Sequence, residues 1–114
     1  MSTYELELDE TGAAVVMASL SGELDLTNAR EVEERLRSSA STGRTLAIDL
    51  NRVVFIDSAA LHVLFKLARD LGRDALVLVL DPEAPISRTL DIVGMRDAIR
   101  VVASRDQLDR ASSA

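Results

Sequence analysis

Leu46–Leu71 reads LAIDLNRVVFIDSAALHVLFKLARDL. It begins as a short apolar strand, LAIDL, passes a polar break at Asn51-Arg52, and reaches a second apolar patch, VVFI. With no glycine or proline it then turns into a helix announced by Asp57-Ser58. A serine at the head of a helix usually caps it, its hydroxyl accepting a hydrogen bond from a free backbone N–H of the first turn. A strand that feeds straight into a helix sets the fold. It also raises one question about Ser58: whether it only caps the helix or stands where a phosphoryl group is put on and taken off.

The composition narrows the answer. A chain of 114 residues is expected to form one domain, residues 1–114, with one core. Its net charge of -6 comes without a basic cluster, and only 3% of it is aromatic, so there is no stacking platform for bases. Nucleic acid is therefore excluded as a main partner. No cysteine is present, which removes disulfides, thiolate catalysis and Cys-based metal sites. One histidine, His62, leaves little for a transition metal or a His-based triad. No cofactor is expected. The start, MSTYELELDE, is acidic and lacks the apolar run of a signal peptide. No segment approaches a membrane span, so a soluble cytoplasmic protein is expected.

Outward from the central stretch, Tyr4–Asp9 alternates apolar and acidic residues, the pattern of a half-buried strand. Thr11-Gly12 turns the chain into a second strand, Ala13–Leu20, which makes a hairpin. The acidic side of that hairpin discourages edge pairing, and a monomer or weak homodimer is expected. Ser21-Gly22 breaks the strand, and Thr27 or Asn28 caps a helix in which Asn28 and Glu31 form a loose capping box. Ala29, Val32, Leu36 and Ala40 make its apolar stripe. Thr45–Leu50 reads as a central strand covered on both faces. Asn51–Ile56 reads as a crossover to the helix Ser58–Leu71, whose buried face is Leu61, Leu64, Phe65, Ala68 and Leu71. A strand at Ala75–Leu80, a helix at Ile86–Val93, a strand at Arg100–Ala103 and a helix from Ser104 to about Ala111 complete the order. The expected class is α/β: a small mixed, mostly parallel sheet with an N-terminal hairpin, packed by about four to five helices.

Four readings of Asp57-Ser58 follow. Nucleophilic catalysis needs a base held by a third group. His62 lies one turn on, but no second histidine and no glycine-flanked elbow accompany it. A phospho-accepting aspartate needs an acidic pair for Mg²⁺ after the first strand and a late lysine. Here Glu23-Leu24-Asp25 follows the second strand, and the only lysine is Lys66, in mid-helix. A bland reading makes Ser58 a cap, with Asp57 beside the positive end of the helix dipole. The fourth makes Ser58 a phosphorylation switch. A phosphate there meets free N–H groups and adds about -1.5 to -2 charge to an acidic corner.

Ser21–Asp25 (SGELD), a helix with Ala29, and then AIDLNRVVFIDSAALHVL resemble the two signature blocks of the STAS family. More narrowly, they resemble the bacterial anti-sigma factor antagonists, and the resemblance extends through ISRTLDIVGMRDAI. It implies the STAS fold and a non-enzymatic partner-switching role in stress-response transcription. The protein would bind an anti-sigma factor with serine kinase activity, releasing a sigma factor. The kinase would phosphorylate Ser58 and end the complex, and a PP2C-type phosphatase would restore it. Asp25 and Asp57 match the family's acidic positions, and Thr27, Asn28, Asn51, Ala59, Ala60 and His62 would edge the docking surface. The family usually reads Asp-Ser-(Ser/Thr)-Gly-Leu, where this chain has Asp57-Ser58-Ala59-Ala60-Leu61. That departure keeps a second class open: a constitutive STAS interaction or small-ligand or nucleotide-binding module in which Ser58 is only a cap.

Overall fold

A computed structural model describes residues 3–41 and 43–108. Five strands, β1 (Tyr4–Asp9), β2 (Val15–Leu24), β3 (Thr45–Ile56), β4 (Leu76–Val79) and β5 (Arg100–Val102), form one sheet in the order β1-β2-β3-β4-β5. β1 and β2 are an antiparallel hairpin, and the other neighbours are parallel. The connections are α1 (Ala29–Ser39), α2 (Ser58–Leu71) and the pair α3 (Ser87–Ile92) and α4 (Met95–Ala98). No helix among the described residues is long and apolar enough to cross a membrane.

Parallel strands added one after another in the same direction by right-handed crossovers put the connecting helices on one face. The core shows it. Leu46, Ile48 and Leu50 of β3 and Leu76 and Leu78 of β4 pack with Val32 and Leu36 of α1, Val63, Leu64 and Leu67 of α2, and Leu90 and Met95. Each such Leu or Ile contributes about 1.5–3 kcal/mol through burial. The alternate residues Ala47, Val77 and Val79 face the other side. There they pack with Leu108 of the C-terminal segment, which covers that part of the sheet.

Several boundaries differ from the sequence reading. β2 does not stop at Ser21-Gly22 but runs to Leu24. Gly22 lets it do so, holding φ +92 where an added Cβ would meet the Thr3 carbonyl at 2.5 Å. Asn51–Ile56 is not a crossover loop: it is the second half of the 12-residue β3. Two bulges explain the mixed pattern. β3 inserts an extra residue between the pairs Ser19↔Asp49 and Ser21↔Arg52, and another between Gly22↔Val53 and Glu23↔Phe55. Side chains therefore turn inward at Leu50, Val53 and Ile56, leaving Arg52, Val54 and Phe55 outside.

α2 is rotated from the expected face. Ala60, Val63, Leu64 and Leu67 are its buried stripe, while Leu61, Phe65, Ala68 and Leu71 flank it half-buried. The expected helix from Ile86 is shorter; Gly94 at φ +74 follows it, and the short α4 beyond was not expected. The C-terminal helix begins at Asp106 rather than Ser104, and its expected continuation to Ala111 lies outside the described residues.

Candidate functional site

β3 and β2 project beyond the end of β4, and α2 begins immediately at the tip of β3. The cap of α2 is Asp57, not Ser58. The Ala60 N–H donates to Asp57 Oδ1 at 3.1 Å. The other oxygen, Oδ2, accepts the Leu26 N–H at 3.0 Å, and the Asp57 N–H donates to the Leu24 carbonyl at 3.1 Å. One aspartate thus caps a helix and fastens the loop after β2 against it.

That loop is stiff. Asp25 Oδ1 accepts both the N–H and the hydroxyl of Thr27, at 2.9 and 2.6 Å. Asn28 precedes α1, but its side chain does not cap the helix as expected. Instead Oδ1 accepts the Asp25 N–H and Nδ2 donates to the Glu23 carbonyl, at 3.0 and 2.9 Å. Burial of Asn28 and its backward reach fix the loop's shape.

Freed from capping, Ser58 is the first residue of α2 and is exposed. Its hydroxyl makes no hydrogen bond with any other described residue, His62 included. The N–H groups of Ser58 and Ala59 have no acceptor among the described residues either. A free hydroxyl therefore stands beside two free donors at the positive end of a helix dipole. Among the described residues no base contacts that hydroxyl. Lys66 is also remote in role: its ammonium pairs with Glu33 of α1 at 2.8 Å, not with the acidic residues of the Ser58 corner.

The remaining sequence-expected residues divide. His62 and Thr27 are exposed at the corner, and Ala59 is half-buried. Ala60 is 5% exposed, with its methyl in the core, so it stands behind the surface. Asn51 is not at the corner. It lies at the first bulge, five residues down the strand from Ile56, where its Oδ1 accepts the Asp81 N–H at 2.7 Å. In the loop after β2 and the second half of β3, exposed apolar side chains were not anticipated: Leu26 (78%), Val54 and Phe55 (48%). Leu26 had a signal, being a lone apolar residue in a polar loop. Val54 and Phe55 had none, because only the bulges turn them outward.

The model of the STAS domain family matches residues 5–108. The chain belongs to the STAS domain family. Its fold is that of solved STAS-type proteins. A crystal structure of an anti-sigma factor antagonist from Mycobacterium paratuberculosis superposes with a TM-score of 0.84 at 22% identity, covering 98% of this chain and 96% of that one. The unphosphorylated form of the anti-sigma factor antagonist SpoIIAA gives 0.73 at 19% identity, covering 96% and 98%. The phosphorylated form of the Bacillus cell fate determinant SpoIIAA gives 0.63 at 20% identity, covering 94% and 99%. No curated protein matches this STAS domain by sequence.

Proposed function

We propose that this STAS domain is an anti-sigma factor antagonist switched off by phosphorylation at Ser58. The observation that carries the reading is the free, exposed Ser58 hydroxyl at the start of a helix already capped by Asp57. Capping does not require Ser58, which weakens the reading of it as a structural cap. The fold shared with anti-sigma factor antagonists, one of them solved in a phosphorylated form, supports the same reading.

The partner is an anti-sigma factor with serine kinase activity. It docks on the corner formed by Asp25, Thr27, Asp57, Ser58, Ala59 and His62, with Leu26 as an apolar anchor. Asn28 and Ala60 support the surface from beneath, and Asn51 sets the bulge below it. A phosphate on Ser58 is held by the free N–H groups of the first turn, so the fold survives. Added charge of about -1.5 to -2 beside Asp57 then rejects the partner, and a PP2C-type phosphatase resets the switch. The protein acts in the bacterial cytoplasm as a monomer or weak homodimer.

Incubation with ATP and the anti-sigma kinases of the same organism, followed by intact mass measurement, tests this. A gain of one phosphate in wild type and none in Ser58→Ala is expected. Failure of every kinase to modify the wild type would overturn the reading.

A further inference from the structure

The longest-range polar contacts described for the molecule come from Arg105 in the C-terminal segment. Its Nε donates to Asp49 Oδ2 at 3.0 Å, and its NH2 group donates to the Ser19 hydroxyl at 2.7 Å. Ser19 and Asp49 are partners across β2 and β3, and they are the last pair before the first bulge. The guanidinium therefore spans the two strands at the point where their register changes. Leu108, three residues on, buries itself against Ala47, Val77 and Val79 and anchors the segment to the same face.

Asp49 carries the clamp upward. Its side chain is 13% exposed, and its second oxygen, Oδ1, accepts the Asn51 N–H at 3.0 Å. A bulge takes a backbone N–H out of the ladder, and a buried donor without a partner is costly. Asp49 supplies that partner. Asn51 in turn accepts the Asp81 N–H, joining the bulge to the end of β4. Above it the register decides which residues of β3 face the core, because a slip by one residue reverses every side chain. The same register places Ile56, and hence Asp57 and Ser58, at the tip.

We propose that Arg105 is a positioning residue: by clamping the Ser19–Asp49 pair it fixes β3 at its first bulge and so holds the Asp57–Ser58 corner in place. The C-terminal segment is thereby a remote determinant of the site. The kinase measurement below rests on Ser58 being the phosphate acceptor, and the exchange measurement does not.

Amide hydrogen exchange on Arg105→Ala, Arg105→Lys and Asp49→Asn decides it. In Arg105→Ala the amides of Asn51–Ile56 and of Ala60 are expected to exchange about five- to tenfold faster than in wild type, with those of Val32–Leu36 unchanged. Arg105→Lys restores most of the protection, and Asp49→Asn behaves like Arg105→Ala. Equal exchange in wild type and Arg105→Ala over Asn51–Ile56, or a uniform rise across all elements, would overturn the proposal. In the kinase reaction, kcat/KM at Ser58 falls about fivefold in Arg105→Ala, mainly through KM, and recovers in Arg105→Lys. An unchanged kcat/KM would break the link to Ser58. If wild type takes up no phosphate, the phosphorylation reading fails, while the exchange data still decide the clamp.

Discussion

Asp57 and Leu26, 31 residues apart in sequence, are joined by a hydrogen bond from the Leu26 N–H to Asp57 Oδ2 at 3.0 Å. The other Asp57 oxygen caps α2 through Ala60. Loss of both bonds in Asp57→Ala is expected to cost about 2 kcal/mol, combining a lost cap and a lost charge-assisted hydrogen bond. Urea unfolding measures it. Asp57→Asn, which keeps an acceptor for Ala60, should lose less. Equal stability of Asp57→Ala and wild type would show that the contact is dispensable.

Ser58 itself should behave in the opposite way. Its side chain is exposed and makes no hydrogen bond within the described protein, so Ser58→Glu is expected to shift the thermal midpoint by about 3 °C or less. A negative charge in the first turn is even mildly favourable. Binding to the proposed anti-sigma partner, measured by calorimetry, should weaken at least about tenfold through like-charge and steric conflict. Wild-type affinity in Ser58→Glu would mean that charge at Ser58 is not the control.

Ala60 packs its methyl into the core beneath the Asp57-Ser58 corner. Ala60→Gly should therefore lower stability by about 1 kcal/mol, from helix propensity and lost burial. Partner affinity should stay within about twofold, because the methyl does not reach the surface. A large gain in affinity would show that the helix approaches its partner more closely than its burial allows.

Between the helices, Glu33 of α1 accepts from Lys66 of α2 at 2.8 Å and from Arg37 at 2.9 Å. Arg37 reaches on to Asp70 of α2 at 2.7 Å. The Lys66 hydrogen bond, with help from Arg37, holds the Glu33 carboxyl below its ordinary value of 4.5, and Arg69 and Arg37 lower that of Asp70. A depressed carboxyl pKa contributes stability that is fully present above the unfolded value and lost as pH falls through the folded one. Stability should accordingly drop as pH falls below 4.5. Lys66→Met is expected to cost about 1 kcal/mol or less at pH 7 and to flatten that drop. An acid profile identical to wild type would remove this pair from the account.

Much of the fold was legible because it rests on local periodicity. Alternation in Tyr4–Asp9, the continuous apolar runs of β3 and β4, and the stripe of Ala29, Val32 and Leu36 each report how a segment meets a core. The strand-to-helix joint at Asp57-Ser58 was legible for a similar reason, since such a pair is a short-range signal. What it could not show was the division of labour within the pair. Which side chain caps α2 depends on where the N–H of Leu26 lies, and that is set by a loop 31 residues away in sequence.

The same limit applies to β3. Its residues alone read as a strand followed by a break, because the bulges interrupt the period of two. The register that turns Val53 inward and Phe55 outward is set by pairing with β2, and Arg105 bridges Ser19 and Asp49 where that pairing first shifts. Short-range chemistry in the chain specifies strands, helices and the joint at Asp57-Ser58. Contacts between distant segments specify the rotation of α2, the burial of Ala60 and the freedom of the Ser58 hydroxyl, because each depends on groups that only the folded sheet brings within hydrogen-bonding distance.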